Sequence, residues 1–474
     1  MAGQADAVVV GSGPNGLVAA VTLARAGWRV VVLEAADTPG GGVRSSALTG
    51  PGFVHDVCSA VHPLGLGSPA LRALPLEEHG LRWIHPDAPL AHPFDDGRVA
   101  MLERSVDATA RGLGADADKY RKLFAPLVDH GAALIDSMMS PLRVPKSPIS
   151  TARFGLQGLR SVKSLTARFA DDEARALLAG SAAHAILPLD AAGTAGYGLF
   201  LTLLAHVVGW PIAEGGSQRI ADALVSLLVA HGGEVVTGVE VTSLEEIPPA
   251  RAVLLDVTPR QLLRIAGDAT PTRYARALSR FRYGPGVFKV DWALDGPIPW
   301  KASEAARAAT VHVGGTIAEL AASEAEVAAG RNHERPFVIV AQPSLFDSTR
   351  APAGSHTAWS YCHVPNGSTV DRTDVIEAQV ERFAPDFRDR IIERHTMNTE
   401  ALERHDANYV GGDINGGVGD LRQLFTRPVV SQHPWVTPIP HVYLCSSSTP
   451  PGGGVHGMCG WHAARAVLRR EQRN

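Results

Sequence analysis

Residues 5–34 constrain this chain more than any other stretch. They read Ala5-Asp6-Ala7-Val8-Val9-Val10, then Gly11-Ser12-Gly13-Pro14-Asn15-Gly16, then an Ala/Leu-rich run to Gly27, then Trp28 to Leu33 and Glu34. The first apolar run suits a buried parallel strand, the run after the glycines a helix, and Val30-Val31-Val32-Leu33 a second strand. Gly11 permits a tight turn, Gly13 a close approach to a diphosphate, and Gly16 close packing of helix on strand. The helix that starts at Pro14 and Asn15 offers the unpaired N–H groups of its first turn, Pro14 itself having none, and a partial positive charge to an anion. Glu34, with Ala35 beside it, ends the second strand 18 residues after Gly16. A carboxylate there can accept both hydroxyls of a ribose and disfavours a 2′-phosphate. The pattern predicts a dinucleotide site for FAD or NAD rather than NADP.

The rest of the composition narrows the class. At 474 residues, 45% of them hydrophobic, the chain can form two or three domains with substantial cores. A net charge of −4 and the lack of a basic run argue against a nucleic-acid partner. Cys58, Cys362, Cys445 and Cys459 show neither C-x-x-C nor zinc spacing, so reduced thiols are expected, with no metal site and no disulfide reductase. Asp6 and the glycine turn stand where a signal peptide would carry its apolar core. No apolar run reaches the roughly 20 residues that span a bilayer; 197–210 is too short and contains His206. A cytoplasmic protein is expected.

Beyond Glu34 lies Thr38-Pro39-Gly40-Gly41-Gly42-Val43-Arg44-Ser45, a glycine loop followed by a cation, suited to lie against phosphate or a ring system. An acid, a short spacer and paired glycines just past the second strand resemble flavoproteins of the glutathione-reductase fold, in the amine-oxidase and phytoene-desaturase branch. The resemblance makes Gly40 and Gly41 the paired glycines. Many members place arginine directly after them; here Gly42 stands there and Arg44 follows two later. In the resembling family the next stretch, 52–63, runs from the flavin toward the substrate, which makes His55, Asp56 and above all His62 candidates for acid–base work or substrate contact.

Residues 76–210 change to helical patterns, predicted over 116–139, 166–186 and 196–208. Within them, 141–165 carries Arg143, Lys146, Arg153, Arg160 and Lys163 among apolar residues. This reads as the solvated face of a cap domain, with a membrane-surface patch as the other reading. A helix follows Ser217, its expected cap, and strands are predicted at 234–236, 239–244 and 253–257. The resemblance places the backbone of Val241 against the adenine. Strands are expected at 288–294, 337–342 and 357–364, and a helix near 374–383. The glycine loop at 410–417 carries Asp413, either a second site candidate or a turn-stabilising acid.

The last motif runs Val442-Tyr443-Leu444-Cys445-Ser446-Ser447 and on through Pro451-Gly452-Gly453-Gly454-Val455-His456-Gly457 into a helix. A strand, a glycine turn and a helix start make a second close backbone approach to a ligand. The pattern is similar to the C-terminal flavin motif of the phytoene-desaturase-like family, in the subgroup with carotenoid ketolases and animal pyridine nucleotide-disulphide oxidoreductase domain homologues. It implies flavin contacts at Ser447, Gly454, Val455 and His456, and FAD as cofactor. The expected fold is α/β: a Rossmann-like FAD/NAD(P)-binding domain from 1–75, 211–275 and 425–474, with an inserted α+β substrate domain from 76–210 and 276–424. The expected function is an FAD-dependent dehydrogenase or desaturase that takes a hydride from a small apolar or lipid-like substrate and passes electrons to oxygen, a quinone or another carrier. Peripheral membrane contact is left open. The alternatives are an amine oxidase of the same fold and a non-catalytic escort-like binding protein of that fold.

Overall fold

The computed structural model describes residues 5–141 and 144–472; Arg143 lies outside them. Four valine-rich residues, Ala7–Val10, form a strand buried at every position. It is the centre of a five-stranded parallel sheet in the order 442–444, 252–255, 7–10, 30–33, 234–236. The helix Pro14–Ala24 lies against this sheet and against the last helix, Met458–Glu471. Gly460 allows that crossing, because a Cβ there would meet the Asn15 carbonyl at 1.8 Å. The first and last motifs of the chain are thereby held side by side.

A second, seven-stranded sheet is ordered 391–397, 286–294, 356–364, 338–341, 308–313, 88–93, 99–102. Its strands pair antiparallel except 308–313 with 88–93. All five parallel strands fall within 1–75, 211–275 and 425–474, and all seven of the mixed sheet fall in the two intervening segments. A helical layer that includes Asp172–Ala183 and Thr194–Val207 packs beside the mixed sheet.

Several local expectations are corrected. The predicted helix 116–139 is two helices, Ala117–Val128 and Gly131–Met138, which break at Asp129 and His130. The predicted strand 239–244 is not a strand. The Glu246 carboxylate accepts the Thr242 and Ser243 N–H groups and turns the chain into a short 3₁₀ helix. Strands at 88–93, 99–102, 308–313 and 391–397 were not expected, nor was Ser217 to spend its hydroxyl away from the helix it precedes.

Candidate active site

The glycine turn has the geometry its sequence asks for. Gly11 sits at φ +97°, and a Cβ on Gly16 would lie 2.1 Å from the Gly11 carbonyl oxygen. Glu34 acts as a clamp on this turn. One carboxylate oxygen accepts the Ser12 N–H at 2.8 Å and the Ser12 hydroxyl at 2.5 Å, and the other accepts the Ala36 N–H at 2.9 Å. Asp256, just past its own parallel strand, is a second acid at the turn and accepts the Gly16 N–H at 2.8 Å. Burial, with the Asp406 and Glu34 carboxylates nearby, pushes the Asp256 carboxyl up to about 8.

Gly13, Pro14 and Asn15 form one wall of a cavity of about 1270 Å³. Gly42, Ser447, Gly454, Val455, His456 and His62 line it too. Asn15 donates from Nδ2 to Ser447 Oγ at 3.2 Å, while its Oδ1 is buried without a partner. Gly454, at φ +120°, has no room for a Cβ against Leu64. His456 accepts the Met458 N–H on Nδ1 and donates from Nε2 to the Gly452 carbonyl, so its neutral tautomer is fixed; burial lowers it to about 4. Backbone cradles from both ends of the chain and an orphaned buried acceptor fit an FAD held across the first and last motifs.

Other predicted residues support the cradle from behind. Gly41 turns at φ +52°, and Arg44 donates to the Gly41 and His405 carbonyls, which ties the glycine loop to 405–409. Val241 is buried among the strands at 5% exposure, and Ala35 is exposed; neither lines the cavity. His62 is neutral, lowered by burial to about 4. Ser217 gives its proton to the Ser59 carbonyl, so His62 Nε2 is the donor in their 2.8 Å bond. Of the two readings of Asp413, the geometry favours the turn-stabilising acid. Its carboxylate lies off the cavity and accepts the N–H groups of Gly284, Asn415 and Gly417 at 2.7–2.8 Å, which makes it the brace of its loop. Asp56 is likewise structural, paired with buried Arg350 at 2.6 Å.

Sequence reasoning missed Lys289, Asp406 and Tyr409, all on the cavity wall. Lys289 is 2% exposed and ion-paired with Asp291, and its Nζ lies 5.8 Å from the centre of the Trp359 ring. Burial pushes Asp291 up to about 6, with Lys289 opposing it. The signal was present: Lys289 and Asp291 are charges at alternate positions of an otherwise apolar strand, Gly286–Leu294. Trp359 and Tyr361, two apart on the next strand, add an edge-to-face pair at 5.2 Å.

Fold and site together define a flavin-dependent oxidoreductase. Residues 15–270 match the family described as flavin containing amine oxidoreductase, and the chain belongs to it. FAD is its cofactor. Among its relatives is pyridine nucleotide-disulfide oxidoreductase domain-containing protein 2 of Rattus norvegicus, 26% identical across 98% of this chain and 93% of that protein. Another is phytoene desaturase (neurosporene-forming) of Rhodobacter capsulatus, 25% identical across 97% of this chain and 92% of its own length. The fold is shared with a putrescine oxidase bound to putrescine, with a TM-score of 0.64 at 18% identity over 99% of both chains. The expected kinship with phytoene-desaturase-like flavoproteins thus extends over almost the whole chain. The four cysteines are unpaired. Among the described residues no helix is long and apolar enough to cross a membrane.

Proposed function

We propose that the protein dehydrogenates a small apolar or lipid-like substrate, with oxygen, a quinone or another carrier taking the electrons. The observation that carries this reading is one continuous cavity, from the glycine cradle at Gly13 and Gly454 to a wall of Phe154, Phe200, Leu201, Trp210 and Ile339. Bound FAD supplies the hydride acceptor. The chain supplies orientation and a dry cavity: the apolar wall excludes water from the substrate. Lys289 Nζ, with Asp291 as counter-ion, fixes a positive charge on the wall. His184, also on the wall, shares a hydrogen bond of 3.0 Å with His312 and is held neutral by burial, at about 3. Neither histidine adds a charge that an apolar chain would have to desolvate.

The amine-oxidase reading draws on the Trp359–Tyr361 pair, which the sequence did not disclose. Lys289 opposes it, since its ammonium already lies near the Trp359 face and repels a second cation. Anaerobic titration of the FAD-loaded protein separates the two readings. Bleaching of the visible flavin absorbance by long-chain alkenes or alcohols, and not by alkyl amines of equal length, is the expected result. Bleaching by amines alone overturns the proposal, and a protein that refuses FAD returns the escort-like reading.

A further inference from the structure

The helix Pro148–Gly158 is apolar on the wrong side for a protein in water. Its inner face buries Ser150, Phe154 and Gly158 against the cap, yet its outer face presents Ile149 at 83% and Leu156 at 73% exposure. Val144 and Leu159 flank it, also exposed. A second segment, 421–434, exposes Phe425 and Val430, the latter at 85%. The two segments share one rim: Leu159 and Phe425 are exposed to solvent and also line the cavity, and Gly193 touches both through a bond to the Leu159 carbonyl and contact with Leu421. Leu159 and Phe425 therefore bring the two exposed apolar segments to the edge of the substrate cavity.

Along the two segments themselves the charge has one sign, and the exposed acid beside them is Asp190, on the loop whose Leu189 carbonyl accepts the Lys163 N–H. Between Asp136 and Asp171 the sequence contains no acid, and between Asp420 and Glu471 none again. Lys146, Arg153, Lys163 and Arg422 are exposed on these segments. Asp136 and Asp420, at the edges, are already paired with Arg72 and Lys146 and with Arg282.

We propose that this face docks on an anionic lipid bilayer, with Ile149, Leu156, Phe425 and Val430 entering the acyl boundary and Arg153, Lys163 and Arg422 resting against the headgroups. The proposed apolar substrate gives the reason the mouth opens there; the docking itself stands on exposure and charge.

The test is sedimentation of the full-length FAD-loaded protein with vesicles of phosphatidylcholine containing phosphatidylglycerol, and with phosphatidylcholine alone. The wild type should pellet with the anionic vesicles and be released by salt. An Ile149→Gln/Leu156→Gln/Val430→Ser variant should bind about tenfold or more weakly, with flavin spectrum and melting temperature unchanged. Each of Arg153→Gln and Lys163→Gln should weaken binding about fivefold. Wild type that ignores anionic vesicles overturns the inference, as does a triple variant that binds like wild type. A concentration-dependent dimer abolished by the triple variant overturns it in favour of a second copy of the chain. Docking without oxidation of any apolar compound upholds this inference and removes the proposed function; oxidation of a detergent-dispersed apolar compound without docking does the reverse.

Discussion

In the cradle, two short runs from opposite ends of the chain present mostly backbone, and within each run the residues are neighbours in the sequence. In the cap, the cavity wall is made of side chains brought from helices and strands as far apart as Phe154 and Trp359. A backbone site tolerates almost no added atom, because its own carbonyls are the walls. A side-chain wall can give, because rotamers shift. The same substitution should therefore cost very different amounts in the two regions.

The largest effect is expected in the cradle. Gly16→Ala drives a Cβ into the Gly11 carbonyl, and more than about 4 kcal/mol of stability should be lost, together with the bound FAD. Chemical denaturation and flavin content of the purified protein measure both. At the junction of the two regions, Lys289→Met leaves Asp291 buried without its counter-ion, at a cost of about 3–5 kcal/mol. A Lys289→Met/Asp291→Asn double variant should recover much of that loss.

Asp256 gives a pH-dependent effect. Its folded value of about 8 lies above that of an unfolded carboxyl, so the folded state holds the extra proton. The stability this confers is complete below the unfolded value, near pH 4, and is lost as pH rises through about 8. Asp256→Asn, which can still accept the Gly16 N–H, should flatten that slope in melting temperature against pH. It should also spare FAD binding above pH 8, where an ionised Asp256 would repel a diphosphate. The smallest change is in the cap. Gly155 lies inside the helix Pro148–Gly158 with open space where a Cβ would go, so Gly155→Ala should stabilise by about 0.4–1 kcal/mol. A loss at Gly155 comparable to that at Gly16 would break the contrast between the regions.

The same contrast explains what the sequence disclosed. The turn at 11–16, the acid at 34, the paired glycines and the motif at 451–457 were legible because local spacing alone builds them. Asp256 sits at the end of its strand as Glu34 does, yet no motif marks it. Lys289, Asp406 and Tyr409 reach the cavity only through the packing of distant segments, which no local period records. The helix at 116–139 was overextended because its apolar pattern continues across the break at Asp129–His130, where the chain turns. The strand at 88–93 was missed because Pro89 and Pro93 interrupt its apolar run, although its hairpin partner 99–102 is close in sequence; its other partner, 308–313, lies more than 200 residues away. At Asp413 the sequence left a site residue and a turn-stabilising acid both open, and the three backbone N–H groups it accepts make it the brace of its loop.

The central claim is that an apolar cavity opens directly onto the flavin cradle. A series of straight-chain alcohols of increasing length, titrated against the FAD-loaded protein and followed by perturbation of the flavin spectrum, tests it most directly. The account predicts that affinity rises about fourfold per added methylene, roughly 0.8 kcal/mol each, until the cavity is filled. An affinity independent of chain length, or a spectrum that no alcohol perturbs, would contradict it.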